Sequence, residues 1–427
     1  MERDVAWKKY DEADLEALEH LAAEYIDFIS DNKTERECAA SAVALAEEHG
    51  YLPLDQAVRE GRTLKAGDKV WAQAHGKALI LAHLGQKPLE QGLNILGAHI
   101  DSPRLDLKQN PLYESNGFTL FDTHYYGGIK NYQWVTLPLA LHGVIAKTDG
   151  TVVEVNVGED AGDPVFCVTD LLIHLAGKQM GKKASEVVEG EDLDILIGNR
   201  PLVIEKDEAD GADDGDAAAG ADPAATEADA ADRPVYEKLA EKEPVKAFAL
   251  KLLAEKYGIA EEDFLSAEIE AVPAGRARDL GFDRSMVIGY GQDDRVCAYT
   301  SLAAQLALAD AALEKTGMCV LVDKEEIGSV GATGMASQFF ENTMAEIMEL
   351  AGEGGPLPLR RALAASSMLS SDVSAGFDPA YASAFEAKNS AFFGARPGVQ
   401  QVHGQPRQER LQRCERRVRG AHPPRHG

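Results

Sequence analysis

Four short segments of this chain share one arrangement: a strand-like apolar run ends, and a side chain able to hold a metal ion follows within a few positions. The first is Asn94-Ile95-Leu96-Gly97-Ala98, which leads to His99 and Asp101. The second is Gly291-Gln292-Asp293-Asp294-Arg295, ahead of a helix expected to begin near Cys297. The third, Cys319-Val320-Leu321-Val322, leads to Asp323, Glu325 and Glu326, and the fourth, Met368-Leu369, leads to Asp372. In open sheets of strands and helices, sites form at the carboxyl ends of strands. The pattern therefore calls for a fold in which several strands finish side by side.

The rest of the chain agrees with such a fold. Residues 11–49 carry Leu15, Leu18, Leu21, Ala22, Tyr25, Ile26 and Ile29 at helical spacing, which predicts amphipathic helices. Apolar runs at 78–82, 94–98, 318–322 and 366–371 predict buried strands, and 298–315 predicts a helix. Alternation of this kind gives an α/β fold, a mixed sheet flanked by helices. The stretch 120–160, with Gly127-Gly128 and Val152-Val153-Glu154-Val155, reads as a smaller β-rich insertion. A length of 427 residues is more than one core usually organises. The expected organisation is a catalytic domain in two parts, 1–106 and 251–394, an inserted domain over 107–250, and an atypical tail over 395–427.

Composition excludes several classes. A net charge of -28 argues against a nucleic-acid partner, which requires clustered Lys and Arg. No apolar run reaches membrane-spanning length and the N-terminus does not resemble a secretion signal, so the chain is expected in the cytoplasm with no membrane partner. The five cysteines are scattered and never spaced as CxxC, which fits a reducing compartment. Residues 207–232 hold ten Asp or Glu and no Lys or Arg, and are expected to be a disordered, solvated loop.

Chemistry can be assigned to the four segments together. The HxD spacing turns His99 and Asp101 to one side of an extended segment. His99 can then bind a metal while Asp101 orients its ring. A carboxylate of the Asp293-Asp294 pair can bridge two cations, with Arg295 fixing its neighbour. Of Glu325 and Glu326, one can ligate and the other take a proton from water. Each motif alone is an ordinary structural feature: an imidazole paired with an acid, a helix cap, a solvated acidic face. Together, one His and several carboxylates suit zinc, manganese or cobalt.

At these residues the sequence resembles the M18 family of metalloaminopeptidases, in its bacterial branch related to the aspartyl aminopeptidases. Gly97–Glu114, Gly291–Leu302, Asp323–Ser337 and Ser370–Tyr381 are similar to that family's motifs in the expected order, and the likeness spans nearly all of 1–394. The resemblance implies a zinc-exopeptidase-like catalytic domain with an inserted dimerisation domain. It implies two divalent ions, held by His99, Asp293 as the bridge, Glu326 and Asp372, with Glu325 as general base and Asp101 as the orienting carboxylate. His174 matches a histidine that reaches a neighbouring subunit's site and contacts the substrate carbonyl. The implied activity is hydrolysis of the first peptide bond of peptides with a free N-terminus. The implied assembly is a homo-oligomer built from dimers, of dodecameric type.

The likeness ends after Phe393, where the family's pattern continues to a histidine in a Met-His-Ser-Pro context that this sequence lacks. The tail from Ala395 to Gly427 has eight Arg, two Glu and no Lys or Asp, a charge of +6 against -34 for the residues before it. Read one base out of frame, the codons for Val399–Arg410 permit a continuation similar to the family's. The expectation is a frame slip near Ala395, and with it the loss of one metal-ligating histidine. Two rival expectations follow: a catalytically inactive homologue serving at most as an assembly subunit, or another two-metal hydrolase such as a carboxypeptidase or deacylase.

Overall fold

The computed structural model describes residues 5–204 and 234–395. The acidic segment 207–232 and the tail from 396 onward lie outside the described residues, and with them the expectations of disorder and of a frame slip. By contact the chain forms two units, one made of the segments up to Ser102 and from Arg276 onward, the other of Pro103–Gly275.

The first unit opens with α1 (Glu12–Asp31) and α2 (Glu35–Glu48). Each starts on a capping box, in which a side chain and a backbone N–H exchange bonds across the first turn. The Asp14 N–H donates to Asp11 at 2.9 Å and the Asp11 N–H to Asp14 at 3.2 Å. In α2 the Glu37 N–H donates to Thr34 Oγ1 at 3.2 Å and the Thr34 N–H to Glu37 at 2.9 Å. Strand β1 (Leu52–Pro53), helix α3 (Leu54–Arg59), and strands β2 (Lys69–Ala74), β3 (Ala78–His83) and β4 (Asn94–His99) follow.

The second unit holds β5 (Arg104–Ser115), β6 (Phe118–Tyr126), β7 (Leu139–Ala146), β8 (Val152–Val157), β9 (Cys167–Val168) and β10 (Ile195–Gly198), then the helices α4 (Val235–Leu239) and α5 (Pro244–Tyr257), and β11 (Ala267–Pro273). Its strands form one sheet in the order β8-β7-β11-β5-β6-β10-β9, antiparallel throughout. This unit extends beyond the expected 107–250 on both sides. The reason is pairing: β11 lies between β7 and β5, so the chain leaves the sheet only after Pro273.

The chain returns to the first unit with the hairpin β12 (Arg278–Leu280) and β13 (Met286–Ile288), helix α6 (Gln292–Ala307), strand β14 (Gly317–Val322), helices α7 (Phe339–Leu350) and α8 (Pro356–Ala365), and strand β15 (Ser367–Ser370). The main sheet runs β1-β2-β3-β14-β4-β15. It is mixed: β3 and β14 are antiparallel, whereas β14, β4 and β15 are parallel. All six residues of β3 are buried, because the sheet is covered on both faces. Leu79, Leu81, Cys319 and Leu321 pack with Tyr25, Phe28, Ala42 and Leu302 from α1, α2 and α6. Ile80, Ala82, Met318 and Val320 pack on the other face with Met344, Ile347 and Leu359 from α7 and α8.

The helix expected over 298–315 stops at Ala307. Residues after it bond across the chain instead of along it: the Gln86 and Lys87 N–H groups donate to the Leu313 and Glu314 carbonyls, and the Asn94 N–H to Thr316. Among the described residues no helix is long and apolar enough to cross a membrane.

Candidate metal centre

The order β14-β4-β15 sets three parallel carboxyl ends side by side, in a register that pairs Val322 with His99 and Ser370 with Gly97. Each end therefore releases its acidic or imidazole side chains at the same rim. Two backbone bonds extend the pairing past the strands, from Ile100 N–H to Val322 O at 2.8 Å and from Ser371 N–H to Gly97 O at 2.7 Å. The turn that begins α6 completes the rim. Gly291 has φ of +83°, and a Cβ there would stand 2.3 Å from Arg295 Nη1, so glycine is required for this entry. Asp293 and Asp294 have non-helical backbone angles and are joined by a cis peptide bond. The turn is tied to the β4 exit by Arg295 Nε, which donates to Ile100 O at 3.1 Å, and by Ser102 Oγ, which donates to Asp293 O at 2.7 Å.

Asp101 organises what stands at this rim. It is fully buried, and its Oδ1 and Oδ2 accept the Glu325 and Glu326 N–H groups, each at 3.1 Å. The same carboxylate lies 3.3 Å from His99 Nδ1, whose other neighbour is the Asp101 carbonyl at 3.0 Å. Both of those oxygens only accept, so Nδ1 carries a proton. Nε2 faces the rim instead, 3.3 Å from Asp293 Oδ1 and 3.9 Å from Glu325 Oε2.

Among the described residues, two groups of side chains have ligand atoms lying within 4.8 Å of one another: His99 with Asp293 and Glu326, and His99 with Asp294 and Asp372. The residue set fits a divalent cation on chemistry as well as spacing. Both carboxylate oxygens of Asp294 are buried with nothing better than the Cys297 thiol, a weak donor, to satisfy them, a costly arrangement unless a cation compensates it. Burial, set against the Cys297 thiol and the His99 charge, pushes Asp294 up to about 7. Burial and then the Asp293 charge push Glu326 up to about 7. Glu325 and Asp372 are raised by burial first, with His99 opposing. For His99 the largest influence, burial, acts downward; hydrogen bonds to Asp101 and Asp293 outweigh it and raise the imidazole to about 11. These are acids crowded until they hold protons that a dication would displace.

The sequence-derived residues His99, Asp101, Asp293, Glu325, Glu326 and Asp372 thus converge on this rim. Asp294, the other acid of the pair from which Asp293 is taken as the bridge, joins them in the group with His99 and Asp372. Ser102, which ties the helix entry to the β4 exit, was missed; a lone hydroxyl carries no pattern. His174 lies in the second unit, exposed among the exposed Leu171, Leu172, Ile173 and Leu175.

A family model described as aminopeptidase I zinc metalloprotease (M18) matches residues 28–408. The chain belongs to the M18 family of aminopeptidases. A probable M18 family aminopeptidase 1 of Clostridium acetobutylicum is 55% identical over 389 residues, covering 91% of this chain and 76% of that protein. The crystal structure of aminopeptidase I from the same organism matches this M18 chain with a TM-score of 0.76 at 50% identity, covering 92% of this chain and 77% of the other. The M18 aminopeptidase structure from Thermotoga maritima matches with a TM-score of 0.78 at 38% identity, over 92% and 77% of the two chains. The chain is thus a metallohydrolase by family, with the α/β fold of its relatives.

The raised acids make a prediction for the metal-free M18 protein. A carboxylate whose folded pKa lies above its ordinary value contributes stability that is full below the ordinary value and lost as pH rises through the folded one. For Asp294 and Glu326 the window runs from 3.8 and 4.5 up to about 7. His99, raised from 6.5 to about 11, has the same sign at higher pH. Zinc displaces these protons, so the rise in Tm on adding zinc is expected to be larger at pH 7.5 than at pH 5.5. Equal rises, measured by scanning calorimetry, would show that zinc binds elsewhere.

Proposed function

We propose that this chain removes the N-terminal residue from peptides at a centre holding two divalent ions, zinc first, with manganese or cobalt as substitutes. The observation that carries the reading is the convergence of His99, at the end of β4, with the carboxylates of two neighbouring strand ends and one helix entry. In this reading His99, Asp293, Glu326 and Asp372 would hold the ions, with Asp293 as the carboxylate they would share and Asp294 as the buried carboxylate of the His99–Asp372 group. Bound there, the ions supply Lewis acidity to the scissile carbonyl and lower the pKa of water.

The chain's own residues do the rest. Asp101 holds the His99 ring so that Nε2 faces the rim. Glu325, whose carboxyl burial raises above its ordinary value, takes a proton from the attacking water and returns it to the leaving amine. The exposed apolar run 171–175 supports a self-association surface. We place His174 at the site of a neighbouring copy in a dimer-based homo-oligomer, up to a dodecamer. Among the described residues Cys38, Cys167, Cys297 and Cys319 form no disulfide, which supports a cytoplasmic setting. The comparisons do not favour the rival expectation of an inactive assembly subunit.

The test compares an aminoacyl p-nitroanilide with its N-acetylated form, in zinc-loaded and chelator-treated protein. Hydrolysis confined to the free amine, abolished by the chelator and restored by zinc, is the expected result. Equal hydrolysis of the acetylated substrate would sink the aminopeptidase reading, and indifference to the chelator the metal reading.

A further inference from the structure

Glu325 and Glu326 sit on a segment that burial does not hold in place. Between Lys324 and Thr333, Ile327 and Val330 are 46% and 58% exposed. Lys324, Gly328, Ser329 and Gly331 all have positive φ, at 70°, 97°, 60° and 101°. Two of these four are glycines, so the unfolded segment has many conformations to lose. What fixes it must be hydrogen bonding: within the loop the Gly328 and Ser329 N–H groups donate to the Glu325 and Lys324 carbonyls, and at its neck buried side chains tie the two ends together. Asp323 is fully buried there and Thr333 is 5% exposed. One Asp323 oxygen accepts the Lys324 N–H at 2.7 Å and the other accepts the Thr333 hydroxyl at 2.6 Å. The Asp323 N–H donates to the Thr333 carbonyl at 3.3 Å, and Asp323 pairs with Gly334 in an isolated parallel bridge. The buried side chains thus close a loop whose first two acidic residues lie against Asp101.

We propose that Asp323 and Thr333 are positioning residues, forming a clasp at the neck of the 324–333 loop that holds Glu325 and Glu326 at the metal centre. The proposal rests on the reading of those two residues as base and ligand. Neither clasp residue touches substrate or metal; both act through the loop. The Thr333 hydroxyl is the part that matters: it donates at 2.6 Å to the Asp323 oxygen from which Lys324 Nζ stands 3.8 Å away, so its removal takes the short hydrogen bond from a buried carboxylate oxygen.

Thr333→Val keeps the shape and removes the hydroxyl, and Thr333→Ser keeps the hydroxyl. In Thr333→Val, amide exchange over 324–333 is expected to quicken about tenfold and zinc affinity, measured against a chromogenic chelator, to fall about tenfold, while Thr333→Ser stays within about twofold of the parent. Should Thr333→Val fail to fold, Asp323→Asn, which replaces one acceptor oxygen with a donor, carries the same expectation. The clasp is overturned if Thr333→Val leaves both readouts within about twofold, or if Thr333→Ser changes them as much as Thr333→Val does. Glu326→Gln separates the two readings: parental zinc affinity in that variant refutes Glu326 as ligand, while the exchange comparison still decides the clasp.

Discussion

Replacing Glu325 with Gln is expected to lower the turnover of a free-amine substrate by the zinc-loaded protein on the order of 10³-fold, with zinc affinity nearly unchanged. The two halves of that expectation come from different parts of the centre. Glu325 Oε2 lies 3.9 Å from His99 Nε2, and Glu325 belongs to neither of the two groups whose ligand atoms converge. Its backbone N–H, not its side chain, bonds Asp101, so the substitution leaves the loop's attachment intact. An amide cannot take up the proton that a carboxylate takes from water, so the chemical step alone should suffer. Glu326→Gln is the contrasting case. That residue stands in the His99–Asp293 group, and the variant should lose zinc as well as activity. Steady-state rates beside a zinc titration of each variant separate the roles, and a Glu325→Gln enzyme keeping more than about a tenth of parental turnover would remove Glu325 as the base.

Much of this centre was legible because strand ends are written locally. An apolar run such as Cys319–Val322 announces a strand buried on both faces, and the acids after it announce a rim. What the chain does not write locally is strand order. The placement of β14 between β3 and β4, with β15 outside β4, is decided by how α1, α2 and α6 share one face of the sheet and α7 and α8 the other. Asp293 and Asp294 are hard to tell apart in the sequence for a related reason: adjacent residues differ in direction only through backbone angles, and those two have non-helical ones inside a helix entry. The inserted unit runs to Gly275, past the expected 250, and charge obscures its last strand in the sequence. Strand β11 reads Ala-Glu-Ile-Glu-Ala-Val-Pro, and two acids argue against a central strand. Glu270 is nevertheless buried, because Arg104 lies 3.1 Å away to pair with it, and that partner is remote in sequence.

Strand β14 joins the core to the chemistry, so a change in its interior should register in both. Leu321→Ala is expected to destabilise the first unit by about 2–5 kcal/mol. Leu321 is 1% exposed, its cross-strand partners are Leu79 and Ala98, and it packs in the cluster that receives α1, α2 and α6. Deleting its branched end leaves a cavity between elements that are fixed by hydrogen bonds and cannot collapse freely. Leu321→Met, which conserves volume, should cost less than about 1.5 kcal/mol. The unit's own stability is read from amide exchange of β3, β4 and β14 across a urea series, which keeps the second unit's unfolding out of the measurement. Zinc at about 100 times its Kd should restore about 2.7 kcal/mol to the parent and to both variants. The strand that loses Leu321 carries no ligand itself, and His99, Asp101 and the clasp are left in place. A loss under about 1 kcal/mol would mean that β14 is not packed as described. Full loss of the zinc increment in Leu321→Ala would mean instead that the rim depends on core packing more than on its hydrogen bonds.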